Sequence, residues 1–478
     1  MGGRGGLCVG TGHEMGSTFR GNLGWSSLFQ MKALYALCLV LVAPVLASKA
    51  DFQAGVARIS ITPPMPFWLT GYAARTNAAA SVRTELWAKA LALEDSRGGR
   101  AVLVTSDVIG LPREISDAVA ERARKRHGLK RSQVLLNSSH THAGPVIWPN
   151  LRVLFDFDEA EQARVVDYTR RLCDNLTAVI DAALDDLAPA HIASGHGAAH
   201  FAINRRQPTS NGVRIGQNRS GPVDHDVPVL SITGDGGALR AVVFGYACHN
   251  TTLGGNFYHV DGDYAGCAQR ELEKAHPGAT ALFLMLCGGD QNPNPRGTYE
   301  HVEQYGRSLA DAVERVLSCG LKPVRPPVRS AWRQTQLDFA PHTRATFEEE
   351  AKSADRFRQR RARLMLDTYD GKRPIRKLTY PVQAIRLGND WTLLGLGGEV
   401  VVDYAQRAKT EYPKDNLTVA GYCNDVSCYI VSDRVLSEGG YEPVDSMIYY
   451  AQPGPLAPMS EERVFAAIRR VMRKAGAR

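Results

Sequence analysis

The sequence predicts an α/β fold, a mixed β-sheet core flanked by helices, with the active site at the carboxyl ends of strands. Three observations predict it. From Asp51 onward, apolar runs of strand length alternate with stretches of helical periodicity. The composition, 44% hydrophobic and 22% charged over 478 residues, is that of a globular chain with a large core. Five of the apolar runs end in polar, chemically capable side chains, which is where open α/β sheets place their ligands.

The elements follow in order. "AVLVTSDV" (101–108) reads as a buried strand, followed by a helical pattern over 112–127. "QVLLNSS" (133–139) is the next strand, and a long amphipathic helix is expected over 158–187. "VPVLSITG" (227–234), "LRAVVFGYACH" (239–249) and "ATALFLMLCGGD" (279–290) continue the strands, with helices at 263–275 and 301–318. A long charged helix is predicted over 343–368. "TYPVQAIRLGNDWTLLGLGGE" forms a hairpin, because Gly388-Asn389-Asp390 separates two alternating runs. "NLTVAGYCND" (416–425) and a helix over 461–474 complete the pattern. No repeat, low-complexity linker or composition break follows residue 50, so residues 48–478 are expected to form one catalytic domain.

Residues 1–47 stand apart. Met31-Lys32 precedes "ALYALCLVLVAPVLA", an apolar segment with a small-residue end, which reads as a secretory signal peptide cleaved near Ala47 behind a Gly-rich leader. It is shorter than the about 20 residues a spanning helix needs. A secreted or periplasmic protein is the expectation. Seven of the nine cysteines lie beyond this segment, and no C-x-x-C pair suggests a structural zinc knuckle. An oxidising compartment would allow one or two disulfides, Cys423 and Cys428 being the nearest pair. The net charge of +8 arises from dispersed basic residues; the densest cluster, "RFRQRRARLMLD" (356–367), has the spacing of a solvated helix face. No nucleic-acid partner is expected.

The five strand ends carry the chemistry. "VLLNSSHTH" ends in His140 and His142, "AVVFGYACHN" in His249, "LFLMLCGGDQN" in Asp290, "LLGLGGE" in Glu399, and "TVAGYCND" in Asn424 and Asp425. Two histidines one residue apart at the end of a strand present both imidazoles on one face. Two or three histidines with one carboxylate fit a catalytic zinc site, which keeps one position open for water. Glu399 closes an apolar strand after Gly397-Gly398, a costly place for a charge unless a cation compensates it.

These residues sit in an ordered set of motifs that resembles the neutral (non-lysosomal) ceramidases. "GVARISITPP", "NSSHTHAGP", "INRR", "GYACHNTTL", "CGGDQNPNPRG", "GLGGEVVVDY" and "GYCNDVSCYI…SEGGYE" occur in the order of that family's catalytic domain, from about Asp51 to about Tyr450. The resemblance implies a zinc ion held by His140, His249, Glu399 and Tyr441. It also implies that His142 and Arg205 contact the substrate or its developing oxyanion. Two departures stand out. Where the family has a serine regarded as the nucleophile, "GGDQNPN" has Asn292, and an amide cannot take that role. The family's C-terminal immunoglobulin-like domain is not expected, since about 30 residues follow the last motif.

The expectation is therefore an exported zinc hydrolase of an N-acyl amide, acting by direct attack of zinc-bound water. In that scheme His142 shuttles the proton, Arg205 stabilises the oxyanion, and Asp290, Asn292 and Asn294 orient the substrate. The partner is a small-molecule or lipid amide, with a transient membrane-surface contact allowed. Two alternatives stay open: an N-acyl sugar or ester as substrate, and a metal- or ligand-binding protein without catalysis.

Overall fold

The computed structural model describes residues 50–477; the predicted leader and signal peptide, residues 1–47, lie outside the described residues. The apolar runs pair into a mixed sheet ordered Thr280–Met285, Leu239–Tyr246, Asp226–Gly234, Ala188–Ala198, Phe52–Ser60, Trp87–Asp95, Arg100–Ser106 and Val134–Ser138. The outermost pair at each end is parallel and the pairs between are antiparallel.

Arg100–Ser106, Val134–Ser138, Asp226–Gly234, Leu239–Tyr246 and Thr280–Met285 are buried on both faces, which is why they read as near-continuous apolar runs. On one face Ala88, Ala90, Val102 and Val104 pack under the helix Glu159–Asp185. Asp158 caps that helix by accepting from Glu161 N, worth about 1 kcal/mol. The helices Asp263–Ala275 and Tyr299–Cys319 pack on Val242, Phe244, Ala281 and Phe283. On the other face Leu91, Leu103, Val243 and Leu282 meet Ile385, Trp391 and Leu393 of a second sheet. That sheet, Val328–Asp338, Lys377–Leu387, Trp391–Leu396 and Leu417–Ala420, is covered in turn by the helices Val402–Glu411 and Ser460–Lys474. Each buried Leu or Val contributes roughly 1.5–3 kcal/mol, so these interfaces hold the layers together.

One polar residue brings the edges of the main sheet together. Asn137, fully buried in the strand Val134–Ser138, donates to Met285 O at 3.2 Å and accepts from Met285 N at 2.9 Å. Its amide thus does for one residue what a paired strand would do, and joins the two edge strands. The segments that leave these strands, carrying His140 and Asp290, therefore emerge side by side. The asparagine of "VLLNSS" is explained by this closure.

Several expectations are corrected. The helix predicted over 343–368 is two, Arg344–Glu350 and Arg356–Asp370. Thr343 caps the first and Asp355 the second, the latter accepting from Phe357 N at 2.8 Å. The long strand Ala188–Ala198 and the hairpin Ala202–Thr209/Gly212–Asn218 have no counterpart in the sequence pattern. The first is masked by "HIASGHGAAH", which is small rather than apolar because the helix end at 316–320 lies against it. A Cβ on Gly195 would stand 2.6 Å from Gly320 O. The seven described cysteines are free thiols, six of them buried, so neither Cys423–Cys428 nor another pair is bridged among the described residues. No helix among the described residues is long and apolar enough to cross a membrane.

Candidate active site

His140 and His142 do not extend the strand, as a same-face pair would. The strand stops at Ser138, and His140 adopts φ 62°, a left-handed conformation that a non-glycine residue occupies only when its surroundings impose it. That turn brings the two rings together, Nε2 to Nε2 at 3.1 Å. The segment is fixed from the neighbouring loop: His142 N donates to Asn250 O at 3.3 Å, and Asn250 Nδ2 donates to Ser139 O. His249, next to Asn250, arrives by the same pairing.

The nitrogen roles of two histidines follow from their backbone partners. His140 Nδ1 lies 2.6 Å from Ile109 O and His249 Nδ1 lies 2.8 Å from Gly288 O. A carbonyl can only accept, so each Nδ1 carries the proton and each ring turns its Nε2 inward, a lone pair wherever the ring is neutral. Both Nε2 atoms stand 3.0 Å from Glu399 Oε2. Suitable nitrogens of His140, His142 and His249 all lie within 4.8 Å of one another. Lone pairs and a carboxylate thus converge on one point inside the protein, a donor set that fits a divalent cation.

The electrostatics agree. Burial pushes the Glu399 carboxyl up, but His140 and His249 beside it outweigh burial and hold it well below the usual carboxylate range. Burial, then the Arg205 charge, pushes His249 down to about 4. Burial and the neighbouring His140 and His249 hold His142 well below its ordinary value. His142 and His249 are therefore held in the neutral form, the form that binds metals.

Arg205 comes from the unforeseen hairpin. Its strand pairs with Gln291–Pro293, setting Asn292 opposite Ile203, while Arg205 N donates to Asp290 O at 2.8 Å. The guanidinium donates to Glu442 Oε1 at 2.9 Å, Tyr429 OH at 2.9 Å, His249 Nε2 at 3.1 Å and Asn292 Oδ1 at 3.4 Å. Burial opposes its charge, yet Tyr429 and Glu442 more than compensate.

A cavity of about 220 Å³ opens above the cluster, and His140, His142, Arg205, Asn292, Glu399 and Tyr441 all reach it. Asp290 does not. It is fully buried, holding Val402 N at 2.9 Å and Asn204 Nδ2 at 3.0 Å, and so positions the chain rather than a substrate. Asn294 is also absent from the lining. At the fifth strand end, Asn424 bonds Leu136 N and Gln383 while Asp425 pairs with Arg113, so both serve the packing.

The tyrosines were the least legible part. Three hydroxyls reach the cluster: Tyr429 OH lies 3.2 Å from His249 Nε2, Tyr422 OH donates to Glu399 Oε2 at 3.3 Å, and Tyr450 OH donates to Glu399 Oε1. Tyr441 stands behind Tyr429, ring centres 5.8 Å apart, with no hydrogen bond to the histidines or to Glu399. Tyr429 follows Cys428 in the same "GYCNDVSCYI" motif, but nothing in its spacing separates it from Tyr441 as a ligand.

Comparison with known proteins places the chain in a family. Residues 52–311 match the family described as neutral/alkaline non-lysosomal ceramidase, N-terminal. A neutral ceramidase of Drosophila pseudoobscura is 26% identical over 269 residues, 52% of this chain and 37% of the relative. That of Pseudomonas aeruginosa is 24% identical over 286 residues, 56% of this chain and 41% of the relative. The chain thus spans about two fifths of these relatives' length. The crystal structure of the neutral ceramidase from Pseudomonas aeruginosa shares the fold, with a TM-score of 0.65 at 17% identity, over 88% of this chain and 75% of that one. With more than half of its residues matched and its fold shared, the chain belongs to the neutral/alkaline non-lysosomal ceramidase family.

Proposed function

We propose that the chain is an exported, zinc-dependent hydrolase of an N-acyl amide. The observation that carries this is the convergence of three imidazoles and Glu399 on one buried point, with His140 and His249 each locked through Nδ1 to a backbone carbonyl. His140, His249 and Glu399 would hold the ion, and Tyr429, whose hydroxyl lies beside His249 Nε2, rather than Tyr441 is the phenol that would join them. Zinc suits this nitrogen and oxygen set. A bound zinc ion would polarise an acyl carbonyl and acidify water.

The remaining residues have separable tasks. His142 lacks the clamp of its neighbours: its Nδ1 has no hydrogen-bond partner among the described residues. Its proton is therefore not fixed, which suits a group that takes a proton from water and returns it to the leaving nitrogen. The side-chain oxygen of Asn292 faces two donors, Arg205 Nη1 and Thr251 Oγ1, each at 3.4 Å. Its NH₂ is left to donate to a substrate carbonyl. Arg205 Nη1 donates to His249 Nε2; once that lone pair is engaged, the same N–H is free to meet an oxyanion.

Water is the nucleophile best supported. Thr251 is the one serine or threonine lining the cavity, and it is directed at an amide, not a base. Water adds to the acyl carbon, the C–N bond breaks, and carboxylic acid and amine leave. The apolar segment behind Lys32 supports export. Ile215, 44% exposed at the cavity mouth, suits an acyl chain and a transient membrane-surface contact.

The test is hydrolysis of a panel of N-acyl amides, short-chain ceramide included, by the full chain after chelation and after zinc return. Loss on chelation and recovery with zinc are expected. Folded, zinc-loaded protein that cleaves no N-acyl amide, or cleavage indifferent to chelator, would overturn the proposal.

A further inference from the structure

At the cavity mouth stands one cation that the hydrolytic scheme leaves unused. Arg296 lines the same cavity as His142, Asn292 and Arg205 and is exposed. Its single side-chain hydrogen bond to the described residues is a long one, Nη1 to Thr251 O at 3.4 Å. Among the described residues it has no carboxylate at salt-bridge distance. The other cations of the site are engaged: Arg205 by Glu442 and Tyr429, Arg75 by the carbonyls of Thr70, His142 and Phe257.

The nearby carboxylates are committed as well. Glu399 faces His140 and His249, Glu442 is shared by Arg205 and Arg206, and Asp263 accepts from Leu253 N and Tyr264 N. None of these three carboxylates is left for Arg296. Its backbone, by contrast, is held on both sides. Gly297 N donates to Thr252 O at 2.7 Å, and Tyr305 OH donates to Pro295 O. A guanidinium on an anchored loop, beside a reaction site and without an internal partner, is arranged to meet a carboxylate from outside.

The cavity limits what that molecule is. About 220 Å³ falls below the roughly 300–1,000 Å³ typical of ligand pockets. The anion and the scissile amide therefore belong to one compact head. Leu151, Leu154 and Ile215 give the same cavity an apolar wall for an acyl chain.

Resting on the amide-hydrolase proposal above, we propose that the substrate is an anionic N-acyl amide of the N-acyl amino acid class, its carboxylate held by Arg296. Cleavage would add water across the C–N bond and release a carboxylic acid and a free amino acid.

The experiment compares zinc-loaded full chain and its Arg296→Gln and Arg296→Lys variants on an N-acyl amino acid and on the same compound with its carboxylate capped as a neutral amide. Wild type should favour the charged compound by about tenfold in kcat/KM, chiefly through KM, given the strength of charge-assisted hydrogen bonds. Arg296→Gln should abolish that preference and Arg296→Lys should keep part of it. Binding of both compounds is measured in parallel by calorimetry. Charge-selective binding that depends on Arg296, without turnover of any amide, would sustain the anion subsite while sinking the hydrolase. Turnover or binding that treats both compounds alike, or a preference that survives in Arg296→Gln, would overturn the subsite and leave the hydrolase standing.

Discussion

Two buried polar clusters differ in one respect. Arg386, 4% exposed, donates to Gly388 O at 3.0 Å, Thr392 Oγ1 at 3.1 Å, Asn389 Oδ1 at 3.4 Å and the Asp415 carboxylate. Every contact there joins a donor to an acceptor, and the cluster closes the hairpin end. Around Glu399 the histidines are as deeply buried and Arg205, Tyr422 and Tyr450 donate into the cluster, yet the Nδ1 protons of His140 and His249 are committed to carbonyls and both Nε2 atoms still face the Glu399 carboxylate. A protein tolerates such an arrangement where a cation completes it. Complete pairing marks a fastener, and nitrogens left facing a carboxylate mark a site.

Breaking the fastener should cost stability alone. Asp415→Ala leaves a buried guanidinium without its counter-charge and should lower the unfolding free energy by about 3–5 kcal/mol. Chemical denaturation measures it. Zinc content per folded molecule should not change, and a loss below about 1 kcal/mol would mean that the pair is solvated.

The site should respond oppositely. Tyr429→Phe removes the hydroxyl beside His249 and the acceptor of Arg205, and should lower kcat/KM by roughly 10–100-fold, the scale for groups that orient metal ligands. Tyr441→Phe should cost less. If Tyr441→Phe proves the more damaging, the phenol implied by the family resemblance is the correct one.

The smallest effect sharpens the comparison at Asp290. Burial raises its carboxyl to about 7, despite the hydrogen bond from Val402 N. Its folded-state value thus lies above the ordinary 3.8, so its contribution to stability is full below that value and is lost as pH rises through about 7. Asp263 and Asp425, each raised to about 6 by burial, act in the same direction and persist in a variant. Thermal unfolding of wild type and Asp290→Asn between about pH 5 and 8 isolates the Asp290 share. The wild type should show the steeper decline, and parallel curves would contradict it.

How much was legible depended on the kind of signal. Helix Asp263–Ala275 and the hairpin across Gly388-Asn389-Asp390 follow from periodicity and turn chemistry, both local. The strand Ala188–Ala198 did not, because Gly195 and Gly197 are chosen for the approach of a distant helix. Likewise Asp355 splits a helix whose periodicity runs straight through it. At the site, His140, His142, His249 and Glu399 were visible as polar ends of apolar runs, and the structure brings them together. Asp290 has the same signature but turns inward to Val402 and Asn204, since strand-end position gives the place of a side chain and not its direction. Tyr429 reaches His249 from the two-residue strand Tyr429–Ile430 and Tyr450 reaches Glu399 from the end of a four-residue helix, elements too short for a period to announce them.

The most direct test is metal content. Purified full chain, passed through a desalting column after incubation with zinc, should carry about one zinc per molecule by elemental analysis. His249→Ala and Glu399→Gln, shown folded by circular dichroism, should retain on the order of a tenth of that or less. Folded variants that keep the full complement, or a wild type that binds none, would contradict a metal centre at His140, His249 and Glu399.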